Sequence, residues 1–285
     1  MAVLEAGLFG YAKVDRKMNA IEVKNVTKVY PAVKGYKELL LHPFRKKGTT
    51  ALRGIDLEIR SGQCFCLMGP NGAGKTTLIK ILSTLVLPDE GKAFVSGYDL
   101  VKETDEVKKH IGFALSEERS FYWRLTGLQN LDFFAALNNI PLSQRRKKVQ
   151  EVIHLVGLEK AVERRFNTFS TGMRQMMAIA RALLTDPDIL FVDEPTRSLD
   201  PVAAQNIRIF LREEMVDNHG KTVFWATHDL SEAAAFAHTI AIIAEGQIKA
   251  EGSVRILTNQ GTLSLNEVYN RAVKNTAPEN KGFGS

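Results

Sequence analysis

The stretch that decides the fold is Gly69-Pro70-Asn71-Gly72-Ala73-Gly74-Lys75-Thr76. A short apolar strand is predicted before it at 65–68, and helical apolar spacing follows it at 77–87. The eight residues match the pattern G-x-x-x-x-G-K-[ST], which requires a strand and a helix on its two sides. Glycines let the backbone curl so that successive N–H groups point inward at a helix N-terminus, where the partial positive charge favours anions. The pattern therefore predicts a phosphate-binding loop.

The side chains at the end of this loop indicate which ligand it binds. The lysine of the pattern, here Lys75, is expected to reach the β- and γ-phosphates of a nucleotide, and the Thr76 hydroxyl to bind Mg²⁺. Thr77 is assigned to the same nucleotide site. We therefore predict ATP and Mg²⁺ as the cofactors.

A buried strand that ends in two carboxylates supports this interpretation. The apolar residues at 189–192 run directly into Asp193 and Glu194. In nucleotide hydrolases with such a loop, one carboxylate holds Mg²⁺ and another group orients the attacking water. Adjacent residues at the end of a strand can point in different directions. We assign the metal to Asp193 and the catalytic water to Glu194.

Composition and charge are those of an ordinary globular protein. The 285 residues include 38 basic and 32 acidic ones, a net charge of +6, and 45% are hydrophobic. The basic excess suits a phosphate-rich ligand or an anionic membrane surface, and it equally suits a solvated exterior. Cys64 and Cys66 lie two apart on a predicted strand and are expected to be small core residues, because two thiols are too few for a structural zinc. Basic patches interleaved with aromatic residues are lacking, so no nucleic-acid partner is expected.

No segment is expected to cross a membrane or to direct secretion. The start of the chain has no basic cluster, and Glu5 interrupts its apolar stretch. The longest apolar run, at 233–244, is about 12 residues, whereas a spanning helix needs about 20. If this protein works at a membrane, another chain must cross it.

Strand-like and helix-like segments alternate on both sides of a helix-rich middle. Strands are predicted at 21–30, 55–59, 65–68, 189–192, 222–227 and 239–244, and helices at 77–87, 128–137, 143–156, 159–164, 201–216 and 231–237. This order is typical of a parallel sheet covered by helices. We predict an α/β fold with a largely parallel sheet, interrupted at about 100–168 by a helical subdomain.

A second motif indicates which family of phosphate-loop proteins the sequence resembles. Phe169-Ser170-Thr171-Gly172-Met173-Arg174-Gln175 resembles the signature sequence of the ATP-binding cassette (ABC) family. Further family landmarks follow in order: the acidic motif and D-loop at 194–201, and a switch histidine in 226–229. Tyr30 sits where the family has its adenine-stacking aromatic residue. The resemblance covers about 21–252.

The resemblance implies a fold and a set of residue roles. It implies a P-loop NTPase cassette with a mostly parallel core sheet, an antiparallel β part and an inserted helical subdomain. Two cassettes are expected to pack head to tail around two ATP molecules. Ser170 and the Gly172 N–H would then bind the γ-phosphate of the opposite subunit, while His228 contacts the γ-phosphate on its own side. Asp200 would couple the two sites, and Tyr30 would stack on adenine.

The sequence departs from the family pattern at three places. Thr171 and Met173 replace the usual signature glycine and glutamine, which leaves the serine and the second glycine in place. The glutamine of the Q-loop is missing, and Ser116 or Glu117 lies in that region. Either residue could reach Mg²⁺ or the attacking water, and the choice between Ser116 and Glu117 is left open.

Finer likenesses point to export. The stretch 118–126, like Ser-Thr-Gly-Met-Arg-Gln, resembles cassette subunits of ABC-2-type exporters of drugs, polysaccharides or lipid-linked glycans. There this surface receives a coupling helix of a separate polytopic membrane permease, and we expect Phe121, Tyr122 and Trp123 either to form that interface or to fill the cassette's own core. The resemblance places the chain in the cytoplasm, peripheral on the inner face of the plasma membrane. An insertion at 31–50, with an amphipathic basic segment, is expected to lie against a membrane or partner, or to be a solvated loop.

The expected organisation is an N-terminal extension at 1–20, an ATPase domain at 21–255 and a tail at 256–285. The alternative function is that of a soluble cassette ATPase in translation or DNA repair. Such proteins generally carry two cassettes or a long coiled-coil insertion, and this sequence shows neither.

Overall fold

The computed structural model describes residues 19–31, 48–115 and 121–274. The predictions that fall on 1–18, 32–47, 116–120 and 275–285 lie outside this part of the chain, among them the Q-loop positions Ser116 and Glu117 and most of the predicted insertion. The ends of that insertion, Pro31 and residues 48–50, belong to paired strands.

The strands alternate with helices along most of the chain. The strands are β1 (Asn19–Pro31), β2 (Gly48–Arg60), β3 (Cys64–Met68), β4 (Glu90–Val95), β5 (Tyr98–Asp99), β6 (Ile111–Leu115), β7 (Ile189–Asp193), β8 (Thr222–Thr227), β9 (Thr239–Ala244) and β10 (Gln247–Gly252). The α-helices are α1 (Lys75–Leu82), α2 (Thr104–His110), α3 (Gly127–Leu137), α4 (Leu142–Leu155), α5 (Thr171–Leu183), α6 (Pro201–Ile209), α7 (Leu230–Phe236), α8 (Val254–Leu257) and α9 (Leu265–Lys274).

Two sheets form the framework. The larger has the order β10-β9-β3-β8-β7-β6, in which β9 to β6 are parallel and β10 is an antiparallel edge strand. The smaller sheet, in the order β2-β1-β4-β5, is antiparallel throughout. The parallel strands β3, β7 and β8 are apolar along most of their length because they are covered on both faces. The predicted parallel sheet and antiparallel part are confirmed.

The core is divided by the parallel sheet. On one face, Leu78 and Ile79 of α1 belong to one hydrophobic cluster with buried residues of both sheets, among them Ile21, Phe65 and Phe224. On the other face, α3, α4 and α5 form a helical layer over Val192 and neighbouring strand residues. Both cysteines are free and buried. Within the described residues, no helix is long and apolar enough to cross a bilayer.

Several predicted boundaries differ from those observed. The helix predicted at 77–87 runs from Lys75 to Leu82, because Thr84 takes a left-handed φ of 62° and turns the chain. Residues 159–164, predicted as a helix, form turns, and the helix predicted at 201–216 changes into a π-helix at Phe210–Asn218. The segment 100–168 is not wholly helical, since β6 pairs with β7 in the parallel sheet.

Candidate functional site

The predicted phosphate-binding loop joins β3 to α1 at the carboxyl edge of the parallel sheet. Gly74 caps α1 with a φ of 112°, a left-handed conformation that strongly favours glycine. A Cβ on Gly74 would lie 2.7 Å from the Ala51 carbonyl oxygen and 2.8 Å from Leu52 Cδ2. The loop is therefore held tightly against β2, and its curled backbone leads into a helix N-terminus.

Lys75 is the first residue of α1 and is almost completely buried. Its Nζ donates to the carbonyl oxygens of Gly69, at 2.6 Å, and Pro70, at 3.2 Å. Burial lowers the pKa of Lys75, while the nearby Glu194 and Asp193 carboxylates oppose that shift. The ammonium is thus fixed inside the loop, in the field of two carboxylates.

Asp193 closes β7 beside the loop. Burial raises the pKa of Asp193, and the charge of Glu194 adds to the effect. Lys75, Thr76 and Lys80 act in the opposite direction. A buried carboxylate next to a threonine hydroxyl is a pair of hard oxygen donors, the type that Mg²⁺ prefers.

Glu194 leaves the strand in an unusual conformation. Its φ of 47° lies in the left-handed region, which is rare for a residue other than glycine and is often found at functional sites. Its N–H donates to the Ala226 carbonyl, so the backbone remains paired to β8. The turn directs the carboxylate towards His228, and Glu194 Oε1 lies 3.0 Å from His228 Nδ1. Asp193 and Glu194 therefore face different partners.

Arg197 is a site residue that the sequence reasoning missed. Its Nη1 lies 3.4 Å from Glu194 Oε2, an ion pair without hydrogen-bond geometry. The arginine side chain is 69% exposed, and ion pairs with such an exposed partner contribute little to stability. The only signal in the sequence was its position three residues after Glu194, within the stretch already quoted.

These groups surround one cavity of about 270 Å³. It is lined by Ala51, Pro70, Asn71, Gly72, Gly74, Lys75, Thr76, Thr77, Asp193, Glu194 and Arg197. Gly69 and the buried Ala73 belong to the loop behind this lining. Loop, helix N-terminus, cation and paired carboxylates together define the class of the protein, a P-loop nucleotide hydrolase.

Five further predicted residues do not line this cavity: His228, which is joined to it through Glu194, and Ser170, Gly172, Asp200 and Tyr30. Ser170 is the N-cap of α5, where its Oγ accepts the Met173 N–H at 3.2 Å, and Gly172 lies in the first turn of that helix. Asp200 caps α6. Tyr30, 37% exposed, pairs with Thr49 near the end of β1. Their predicted contacts with a nucleotide stay predictions.

The comparisons with known proteins agree with this class. Residues 52–197 match the model of the ABC transporter family. The ABC transporter ATP-binding protein NatA of Bacillus subtilis is 34% identical over 226 residues, which cover 79% of this chain and 91% of NatA. The daunorubicin/doxorubicin resistance ATP-binding protein DrrA of Streptomyces peucetius is 36% identical over 258 residues, covering 89% of this chain and 72% of DrrA.

A solved structure gives the same result at the level of the fold. The ATP-binding cassette MJ0796, in a dimeric post-hydrolysis state bound to ADP and Pi, matches with a TM-score of 0.68 at 29% identity, over 82% of this chain and 98% of that one. The chain belongs to the ABC transporter family, in which it is an ATP-binding subunit. It is an ATPase whose hydrolysis is coupled to transport.

Proposed function

We propose that ATP is hydrolysed in the cavity between the loop 69–76 and the end of β7. The observation that carries this is the 3.0 Å contact of His228 Nδ1 with Glu194 Oε1, because Glu194 lines the same cavity as Lys75, Thr76 and Asp193. The loop N–H groups and the Lys75 ammonium bind the β- and γ-phosphates. Glu194 orients the attacking water and accepts its proton, and His228 holds the Glu194 carboxylate in place.

The residues beside the loop fit Mg²⁺. Thr76 and Asp193 offer a hydroxyl and a carboxylate that line the same cavity, and the remaining ligands of such an ion would come from phosphates and water. The raised pKa of Asp193 reflects a buried negative charge that a cation would offset. When bound, Mg²⁺ neutralises charge that develops on the phosphate oxygens.

We further propose that two copies of the cassette pack head to tail. Ser170 and Gly172 stand at the N-terminus of the 13-residue helix α5 and do not line the cavity of their own chain. A helix N-terminus of this kind binds anions. The γ-phosphate held by the opposite subunit is the ligand we assign to them, with Asp200 near the shared interface. Solved cassettes such as MJ0796 are dimeric, which supports this arrangement.

The membrane partner that we propose is a polytopic permease of the ABC-2 type, with the cassette peripheral on the inner face of the plasma membrane. It would power export of a drug, a polysaccharide or a lipid-linked glycan. The similarity to the drug-resistance protein DrrA supports an exporter, and the curated relatives favour a transporter over a soluble ATPase of translation or DNA repair.

The exposed aromatic residues Tyr122 and Trp123 are the proposed docking surface for this permease. They are 51% and 42% exposed, whereas Phe121 is buried against Phe166 at a ring-centroid distance of 4.6 Å. The buried amide of Asn130 fixes the turn by bonding both the N–H and the carbonyl of Tyr122, at 2.8 and 3.0 Å. Phe121 is therefore a core residue, whereas Tyr122 and Trp123 are exposed to a partner.

Co-purification from membranes tests this part of the proposal. A tagged chain is expected to bring down a polytopic membrane protein in a ratio of one cassette to one permease half, and the Tyr122→Ala/Trp123→Ala double variant is expected to lose it. Recovery of ribosomes or DNA in place of a membrane protein would refute the transporter assignment.

A further inference from the structure

Glu232 is a buried carboxylate that the proposed reaction does not use. It lies in the first turn of α7 and is only 5% exposed. Its Oε1 accepts from the Thr196 hydroxyl at 2.5 Å and from Arg208 Nε at 3.1 Å, and its Oε2 accepts from the Thr227 hydroxyl at 3.0 Å. One carboxylate thus joins three segments that are separate in sequence.

The charge of Glu232 is matched inside this cluster. Arg208 is the cation in direct contact with it, and the Arg208 side chain is itself only 22% exposed. A buried carboxylate costs free energy unless it is paired and hydrogen-bonded, and here three donors satisfy it. In the cluster of Glu232, Arg208, Thr196 and Thr227 both carboxylate oxygens are therefore paired, and we call this cluster the Glu232 bracket.

The Glu232 bracket includes residues close to both Glu194 and His228 in the sequence. Thr196 comes two residues after Glu194, directly after the left-handed turn, and Thr227 immediately precedes His228. Thr227 also accepts the Asp229 N–H at 3.0 Å, which fixes the backbone on the far side of His228. Arg208 extends the network to α6, the helix that Asp200 caps.

We infer that Glu232 is a positioning residue for hydrolysis, holding the segments that carry Glu194 and His228 at the separation seen in the structure. This inference rests on the proposed function, because it requires Glu194 and His228 to act in the reaction. Glu232 does not line the cavity, and its proposed effect passes through Thr196 and Thr227. Misplacement of a catalytic group by about 1 Å can cost about 100-fold in rate, so loss of the bracket is expected to lower kcat and to spare nucleotide binding.

The experiment measures kcat, KM for ATP·Mg and ADP affinity for a set of single variants of the full chain. Glu232→Ala removes all three hydrogen bonds and is expected to lower kcat about 10- to 100-fold. Thr227→Val and Thr196→Val each remove one hydroxyl at constant shape and are expected to give smaller falls in kcat. Glu232→Gln keeps one acceptor oxygen for Thr196 and Arg208 and replaces the other by an NH2 group that can donate to the Thr227 hydroxyl, so it is expected to recover part of the lost rate. KM and ADP affinity stay within about twofold of wild type in all four.

Lys221→Met is the matched control, because it tests whether a loss of stability alone lowers kcat. Lys221 is buried next to the opposite end of β8, where its Nζ bonds Asp186 at 2.7 Å and the Pro187 carbonyl at 2.7 Å. This variant breaks a buried ion pair far from the cavity, so it is expected to lower Tm without changing kcat. The valine variants keep the test usable if Glu232→Ala does not fold.

Glu194→Gln, measured alongside, separates the two claims. If Glu194→Gln is inactive while Glu232→Ala and Thr227→Val keep the wild-type kcat, the bracket is refuted and the proposed function stands. The bracket is also refuted if kcat falls by the same factor in Lys221→Met as in the bracket variants. A wild-type rate in Glu194→Gln would overturn the proposed function, and the inference with it.

Discussion

Glu194 Oε1 and His228 Nδ1 lie 3.0 Å apart although the two residues are 34 positions apart in sequence. The pairing of β7 with β8, with Asp193 opposite Ala226, brings the two strand ends together. An ionised carboxylate can only accept a hydrogen bond, so in a contact with it Nδ1–H of the imidazole is the donor. The second ring nitrogen, Nε2, takes no part in this contact. Because the His228 side chain is 59% exposed, Nε2 is accessible to a ligand.

Replacing His228 by alanine is expected to lower kcat about 100-fold, because Glu194 loses the partner that orients it. ATP affinity is expected to change little, since the loop and Lys75 supply most of the phosphate contacts. His154→Ala is the control, because His154 is 85% exposed and pairs only with Glu159 on the surface. An equal loss in both variants, or no loss in His228→Ala, would contradict the assigned role.

The alkaline pH dependence of ADP binding is expected to report on Lys75. In the nucleotide-free protein, burial lowers the pKa of Lys75. Bound phosphates raise this pKa again because they stabilise the ammonium. Between those two pKa values binding takes up a proton, so affinity falls as pH rises, by at most about tenfold per pH unit. The nucleotide phosphates are fully ionised there and add no titration of their own.

Lys75→Arg is the matched variant for this measurement, since a guanidinium keeps its charge throughout the range. Isothermal titration of ADP from neutral pH to about pH 10 is expected to show a falling limb in the wild type and a flat one in Lys75→Arg. A falling limb of equal slope in both proteins would assign the titration to another group.

Two loop glycines are expected to differ in their tolerance of alanine. Gly72 has a φ of 79° and open space where a Cβ would lie, so Gly72→Ala is expected to cost only backbone strain, about 1 kcal/mol. Gly74→Ala adds an overlap with the Ala51 carbonyl oxygen at 2.7 Å, so a loss of about 3 kcal/mol or more is expected. Urea unfolding measures both, and equal losses would show that the loop is not packed against β2 as described.

Substitutions in the aromatic turn at 121–123 are expected to have two different effects, one on stability and one on the coupling of hydrolysis to export. Phe121→Ala empties a packed core position and is expected to cost about 3–5 kcal/mol of unfolding free energy. Tyr122→Ala and Trp123→Ala remove exposed rings, so they are expected to leave basal ATPase activity unchanged and to reduce export in cells. Normal export by both exposed-ring variants would remove this surface from the proposed interface.

The sequence predicted best those elements that are buried on both faces. The strands at 222–227 and 239–244 were predicted at their observed boundaries, because uninterrupted apolar runs of this length mark central strands. Strands β4 and β10 were missed, since Glu90, Lys92 and Gln247 belong to antiparallel strands whose pairing depends on distant partners. Strand β6 was missed because it lies between polar segments, in a region whose apolar spacing predicts helices.

The same limit applies to the site. Motif order identified Lys75, Asp193, Glu194 and His228, because each belongs to a short pattern with a known chemical role. Glu232 has no such pattern: its partners are 5 to 36 residues away, and only the fold brings them together.

Glu194→Gln tests the central claim most directly. The amide keeps the size and the hydrogen-bond partner of the carboxylate but cannot accept the proton of the attacking water. With ATP·Mg, phosphate release is expected to fall at least about 100-fold, ATP affinity to be retained, and light scattering to show a stable dimer. Phosphate release at the wild-type rate, or a monomer at saturating ATP·Mg, would contradict the account.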